Sequence, residues 1–161
     1  MVILIMGVAG CGKTTIGRQL AAELGWNFVE ADEFHPPANV AKMGSGQPLN
    51  DDDRAPWLAA LRVEIDRYLS RQESAVVTCS ALKERYRKII VPDPKQVKIV
   101  HLHGSPELLR SRISERVGHF MPATLLDSQL AALEPPADAL TLDVVTSPEE
   151  LVAQIRRAFG I

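Results

Sequence analysis

The sequence contains only two cysteines, Cys11 and Cys79, and they form neither a C-x-x-C motif nor a metal-ligand spacing. This scarcity argues against a disulfide-stapled scaffold and a thiolate metal site, and it favours free thiols in a reducing cytoplasm. No apolar run approaches the ~20 residues of a membrane-spanning helix. The apolar residues Val2–Met6 also lack the length and basic flank of a signal peptide. We therefore predict a soluble, cytoplasmic protein without a membrane partner.

An excess of charge of one sign is also lacking. The chain has 18 Lys and Arg against 20 Asp and Glu, which gives a formal net charge of -2. This balance argues against a general polyanion-binding surface, so we expect no nucleic-acid partner. The length of 161 residues predicts a single domain, residues 1–161, large enough to bury a core without disulfides or a structural metal.

A complete phosphate-binding motif is present near the N-terminus. Residues 7–14 read GVAGCGKT and match G-x-x-x-x-G-K-[ST], between a β-branched apolar run and a helical pattern. Glycines let the backbone turn its N–H groups inward, and the following helix adds its positive dipole end, so a polyphosphate can be bound. We expect Lys13 to reach the β- and γ-phosphates and Thr14 to offer its hydroxyl to Mg²⁺. The predicted phosphate-binding residues are Gly7, Val8, Ala9, Gly10, Cys11, Gly12, Lys13, Thr14 and Thr15.

Strand and helix patterns alternate along the chain, which predicts an α/β fold with a parallel sheet. The predicted strands are 2–6, 26–29, 75–79, 97–102 and 141–145, and the predicted helices are 13–24, 54–69, 80–90, 105–115, 123–133 and 147–159. Residues 33–53 contain three of the eleven prolines and little hydrophobic periodicity. We predict a functional loop or a flap there.

Two carboxylates follow the second predicted strand, Glu30 and Asp32. The carboxyl ends of parallel strands face the ligand crevice, and the phosphate-binding loop lies at the same edge. Both side chains can therefore point at bound phosphates. The alternative is that Asp32 caps a helix in a polar turn.

Several cations occupy positions that suggest an anionic ligand. Arg54 lies just inside a helix N-terminus, where the dipole disfavours a cation, and Lys83 lies close to the end of the third strand. Arg112 and Arg116 are four residues apart on one helix face, ahead of a turn bracketed by glycine and proline. Such a segment can close over a transferred phosphate. The alternative for this pair is a surface helix with ordinary Glu/Arg pairs.

Taken together, the motifs closely resemble the gluconokinase family, in order, from Gly7 to about Glu134. They comprise the phosphate-binding loop and the segments 31–36, 39 with 42–43, 48–54 with 57, 79–83, 118–121 and 126–129. The resemblance implies a three-layer P-loop NTPase fold with sheet order 2-3-1-4-5. It also implies transfer of the γ-phosphate of ATP to the 6-hydroxyl of D-gluconate, a homodimer, a substrate-binding segment at about 33–54 and a lid at about 112–134.

The resemblance further implies individual roles. Asp32 corresponds to the carboxylate beside the acceptor hydroxyl, and Arg54 with Lys83 would hold the gluconate carboxylate. Glu30 would hold Mg²⁺ through water, together with Thr14. The implied catalytic residues are Lys13, Asp32, Arg112 and Arg116, and the implied substrate-binding residues are Asp32, His35, Lys42, Arg54, Ser80, Lys83, His119 and Gln129. For both histidines a structural role is equally compatible with the sequence.

Three rival functions stay open at this point. A nucleoside-monophosphate kinase shares the motif, but the carboxylates of residues 33–53 would repel a second phosphate. A kinase for another small hydroxy acid, such as shikimate, would also use an acid after the second strand and an arginine. A regulatory module that binds ATP without turnover would show a broken catalytic set, whereas the set here is intact.

Overall fold

Parallel strands form one sheet in the computed structural model, which describes residues 1–115 and 124–161. The strands are β1 (Val2–Met6), β2 (Asn27–Glu30), β3 (Ala75–Cys79), β4 (Val97–His103) and β5 (Leu140–Asp143). They lie in the order β2-β3-β1-β4-β5, and every neighbouring pair is parallel. The predicted α/β class and sheet order are confirmed.

Helices connect the strands and cover the sheet. They are α1 (Lys13–Leu24), α2 (Pro37–Gly44), α3 (Asp51–Ser70), α4 (Glu84–Ile90), α5 (Pro106–Ser114), α6 (Thr124–Ala132) and α7 (Pro148–Phe159), with a 3₁₀ turn at Ala31–Phe34. Within the two described ranges, none of these helices has the length and apolarity that crossing a membrane requires.

The central strand β1 is fully buried because both of its faces are covered. Ile3 and Ile5 enter one apolar cluster, whereas Leu4 and Met6 enter the other. Strand register pairs Met6, the last residue of β1, with Cys79, the last residue of β3, and with His101 near the end of β4. The carboxyl ends of three strands therefore meet at the edge where the phosphate-binding loop begins.

Residues 33–53 are more ordered than the sequence predicts. Helix α2 begins with proline at its first position and buries Met43 against Leu49 and Leu125. Helix α3 begins at Asp51, three residues earlier than predicted. Its N-cap is Asn50, whose side chain accepts from the Asp53 N–H, while Asp53 accepts in return from the Asn50 N–H.

The segment after β3 also differs from the prediction. Residues 80–83 form an irregular turn, and helix α4 begins only at Glu84. Within this turn Ala81 adopts φ +44°, a left-handed conformation that an α-helix excludes. A helical start at Ser80 was therefore wrong.

Candidate active site

The phosphate-binding loop needs glycine at two of its positions. Gly7 has φ +149°, and a Cβ there would lie 2.5 Å from the Leu102 carbonyl oxygen. Gly12 has φ +87° and is the N-cap of α1, so the chain enters the helix directly before Lys13. The Lys13 ammonium donates to the Val8 carbonyl at 3.1 Å. This geometry leaves the helix N-terminus open to an anion.

A cavity at the carboxyl edge of the sheet brings most of the predicted site residues together. Its walls come from the phosphate-binding loop, the ends of β2 and β3, helices α2 and α3, and helix α6. It is lined by Ala9, Gly10, Gly12, Lys13, Thr14, Glu30, Asp32, His35, Met43, Leu49, Arg54, Trp57, Ser80, Leu82 and Gln129. Elements distant in the sequence thus converge on one concave, polar site.

Glu30 links the phosphate-binding loop to the sheet. One of its carboxylate oxygens accepts from the Thr14 hydroxyl and the other from the Thr78 hydroxyl, each at 2.6 Å. A hydroxyl and a carboxylate beside a phosphate site are hard oxygen donors, which Mg²⁺ prefers. The donor set of Thr14 and Glu30 therefore fits this ion.

Asp32 opens into the same cavity, with 43% of its side chain exposed. The His35 Nε2 lies 4.0 Å from its Oδ1. His35 itself stacks on Trp57 with ring centroids 4.2 Å apart, and Trp57 donates to the Ala31 carbonyl at 2.7 Å. Stacking on Trp57 thus holds the His35 ring with its Nε2 next to Asp32.

The tautomer of His35 follows from its neighbour. The Asn39 amide nitrogen donates to the Asp53 carbonyl at 2.8 Å and lies 3.2 Å from the His35 Nδ1. An amide nitrogen only donates, so Nδ1 accepts, and the proton of neutral His35 resides on Nε2. Burial, together with the Arg54 charge, lowers the pKa of His35 to about 4. At neutral pH the ring thus presents an N–H donor next to Asp32.

We expect His35 to make the protein less stable in acid. The unfolded chain binds a proton on this ring near pH 6.5, whereas the folded chain does so only near pH 4. Protonation of His35 therefore does not reduce the free energy of unfolding above pH 6.5. Between pH 6.5 and 4 it lowers this free energy by about 3 kcal/mol. Urea unfolding between pH 7 and 4 tests this in wild type and in His35→Phe, which keeps an aromatic ring on Trp57. In the variant the free energy of unfolding should fall less between pH 6.5 and 4 than in wild type. The same pH dependence in both proteins would contradict the lowered pKa of His35.

The Arg54 guanidinium has uncharged acceptors. It donates to the Leu49 carbonyl and, at 3.4 Å, to the Tyr86 hydroxyl, and it lies over the Tyr86 ring.

Lys83 is placed differently, because its ammonium lies 3.9 Å from Asp51 and it does not line the cavity. Asp51 also pairs with Arg85 and accepts from the Tyr86 hydroxyl, and these partners hold its pKa below its usual range. Arg54 can therefore bind an anion in the cavity, whereas Lys83 lies close to the carboxylate of Asp51.

Three further predicted substrate residues have defined contacts. Lys42 donates to the Asp53 carboxylate at 2.6 Å and is absent from the cavity lining. Ser80 lines the cavity, and Gln129 of α6 accepts from the Ala9 N–H at 2.7 Å. His119 and Arg116 lie outside the described residues.

A second cavity, of about 300 Å³, lies on the other side of the phosphate-binding loop. Arg112 lines it and donates to the Val144 carbonyl at 2.7 Å. Arg112 therefore does not line the cavity that contains Asp32, and its closure over a transferred phosphate stays a prediction. The other residues that line this cavity are Gly10, Cys11, Gly12, Thr15, Ile16, Glu115, Val144, Thr146, Pro148 and Leu151.

Two residues that support the site from outside the cavity lining were not predicted from the sequence. Thr78 holds Glu30 from β3, and Tyr86 contacts both Arg54 and Asp51. A signal for Thr78 exists, since it is a polar residue inside an apolar strand. Tyr86 offers no comparable signal, because its partners lie more than thirty residues away in the chain.

Comparison with known proteins shows the family to which the chain belongs. A family model described as an AAA domain matches residues 2–136. A gluconokinase of Gluconobacter oxydans is 51% identical over 84% of this chain and 76% of its own length. The crystal structure of a gluconokinase from Sinorhizobium meliloti has a TM-score of 0.83 at 43% identity, covering 95% of this chain and 87% of that one. An unliganded sugar kinase from Janibacter has a TM-score of 0.92 at 44% identity, covering 99% and 94%. The chain therefore belongs to the gluconokinase family of P-loop kinases.

Proposed function

We propose that the protein transfers the γ-phosphate of ATP to the 6-hydroxyl of D-gluconate, giving 6-phospho-D-gluconate and ADP. The observation that carries this proposal is the convergence of Lys13, Asp32 and Arg54 on one cavity. A phosphate-binding lysine, a carboxylate for a hydroxyl and an arginine for a carboxylate suit a sugar-acid kinase. The relatives that bear the name gluconokinase support this substrate over other small hydroxy acids.

ATP can be assigned to the two cavities from their shared wall. Gly10 and Gly12 line both of them, so a polyphosphate on the loop would extend from one cavity to the other. The γ-phosphate then belongs with Lys13 in the first cavity, and the nucleoside belongs in the second. Arg112 and Thr15, which line the second cavity, accordingly contact the nucleotide.

Thr14 would hold Mg²⁺ directly, and Glu30 would do so through water, since Thr14 and Glu30 are already joined by a hydrogen bond. When bound, the ion neutralises charge on the phosphates of ATP.

Gluconate is held at its two ends in this proposal. Arg54 binds the carboxylate with its planar fork, and the Nε2–H of His35 donates to a hydroxyl. Asp32 orients the 6-hydroxyl and accepts its proton as the phosphoryl group is transferred. Lys83 contributes as a second cation once it leaves Asp51. The lid, residues about 112–134, closes over the site, and its Arg116 and His119 then approach the substrates.

The proposal includes a homodimer, an expectation that rests on the family resemblance, and a cytoplasmic location, an expectation that rests on the cysteine usage of the sequence. Sedimentation of the purified chain tests the dimer, and a monomer at micromolar concentration would overturn it.

A coupled ADP-release assay tests the function. ATP and Mg²⁺ are combined with D-gluconate, shikimate, AMP or no acceptor. We expect turnover with gluconate alone. Release with shikimate or AMP but not gluconate would overturn the substrate, and ATP binding without release in any arm would favour a regulatory module.

A further inference from the structure

The turn between β3 and α4 combines a costly backbone conformation with a position in the site. Ala81 has φ +44° and is fully buried. A residue with a Cβ adopts this conformation only where its surroundings impose it. Its two neighbours, Ser80 and Leu82, both line the cavity proposed for gluconate. A contact that fixes the conformation of Ala81 therefore also fixes the positions of Ser80 and Leu82 in the cavity wall.

Arg87 is the side chain that holds this turn. Its Nη1 donates to the Ala81 carbonyl at 2.9 Å and to the Leu82 carbonyl at 3.1 Å. The Leu82 carbonyl also accepts from the Glu134 N–H at 2.8 Å. From within α4, Arg87 therefore donates to two successive carbonyls of the turn that precedes this helix.

Arg87 is also an expensive residue to bury. It is 6% exposed, and burial lowers the pKa of its guanidinium. The carboxylates of Glu84 and Glu134 act on it at longer range, and its hydrogen bonds go to neutral carbonyls. Burying this cation costs desolvation free energy, and the two hydrogen bonds to the carbonyls of the turn offset part of that cost.

We propose that Arg87 is a positioning residue for the acceptor. It fixes Ser80 and Leu82 in the cavity wall by holding Ala81 in its left-handed conformation, without touching substrate. This inference rests on the proposed function, because it assigns the wall to gluconate binding.

Steady-state kinetics of Arg87→Met and Arg87→Lys test the proposal. Arg87→Met keeps the volume but loses both hydrogen bonds, and we expect the KM for gluconate to rise about tenfold. The KM for ATP should stay within about twofold, since the hydrogen bonds that Arg87 makes among the described residues go to the turn and not to the phosphate-binding loop. Arg87→Lys keeps a donor and should show a smaller rise. The matched control is Arg62→Met, which removes an arginine that donates to the Ile89 carbonyl away from the turn.

Substitution of Ala81 separates positioning from a general loss of structure. Glycine accepts positive φ without a Cβ penalty. Arg87→Met with Ala81→Gly should therefore recover part of the gluconate KM. If Arg87→Met does not fold, Arg87→Lys with and without Ala81→Gly carries the same comparison. An unchanged gluconate KM, or equal losses for gluconate and ATP, would overturn the proposal.

Hydrogen exchange without substrate distinguishes this proposal from the proposed function. Amides of residues 80–83 should exchange faster in Arg87→Met, or in Arg87→Lys if the first variant does not fold, than in wild type, relative to β3. Unchanged exchange would overturn the positioning role. A wild-type protein inactive on gluconate would instead overturn the function, while the exchange result would still decide whether Arg87 holds the turn.

Discussion

Asp32→Asn is expected to lower kcat for gluconate phosphorylation by about 10²- to 10⁴-fold, the usual contribution of a general base. Asparagine keeps the shape and can still accept a hydrogen bond from the acceptor hydroxyl, but it cannot take up a proton. Because the missing interaction is made mainly in the transition state, the KM for gluconate should change only a few-fold. Steady-state kinetics at saturating ATP measure both constants.

The neighbour of Asp32 provides the control. Glu33 is an exposed carboxylate in the same 3₁₀ turn and does not line the cavity. Glu33→Gln should therefore leave kcat within about twofold, as surface substitutions usually do. A loss of gluconate affinity at unchanged kcat in Asp32→Asn would show that Asp32 is only a ligand.

Arg54→Met is expected to raise the KM for gluconate about 10- to 100-fold, which corresponds to the loss of charged hydrogen bonds to a carboxylate. The structure leaves this guanidinium with uncharged acceptors, the Leu49 carbonyl and the Tyr86 hydroxyl. Methionine keeps the apolar stem, so packing on Tyr86 is largely retained. The kcat should fall much less than the affinity, because the carboxylate is remote from the transferred phosphate.

Lys42→Met serves as the matched test for a cation of the same segment. Lys42 already pairs with Asp53 at 2.6 Å and does not line the cavity. Its substitution should change the KM for gluconate only a few-fold. Equal effects of the two substitutions would contradict the assignment of the carboxylate to Arg54 and would restore the direct role that the family resemblance implies for Lys42.

The phosphate-binding loop, the end of helix α1 and strand β3 could be predicted from short sequence patterns, because residues close together in the sequence determine them. The phosphate-binding loop depends on glycines at fixed offsets, and helix α1 ends where Gly25 adopts φ +65°. Strand β3 is a β-branched run whose bounds match the prediction. Glu30 and Asp32 also lie at the carboxyl edge of the sheet, as predicted, and line the cavity there.

Other parts depend on partners distant in the sequence. Helix α2 is stabilised by Met43 packing on Leu125 of α6, which no local period reveals. The direction of Arg112 follows from the Val144 carbonyl, 32 residues away. Lys83 follows a strand end, yet its ammonium lies near Asp51 and it does not line the cavity. In each case a tertiary contact overrides the local preference.

The carbon that carries the transferred phosphate shows whether the 6-hydroxyl of gluconate is the acceptor. Product made from ATP, Mg²⁺ and D-gluconate is analysed by two-dimensional ¹H–³¹P NMR. We predict a single phosphomonoester whose phosphorus couples to the two methylene protons on carbon 6. Coupling to a single proton of another carbon would contradict the presentation of the 6-hydroxyl to the γ-phosphate. Formation of ADP and inorganic phosphate without a new phosphomonoester would contradict it as well.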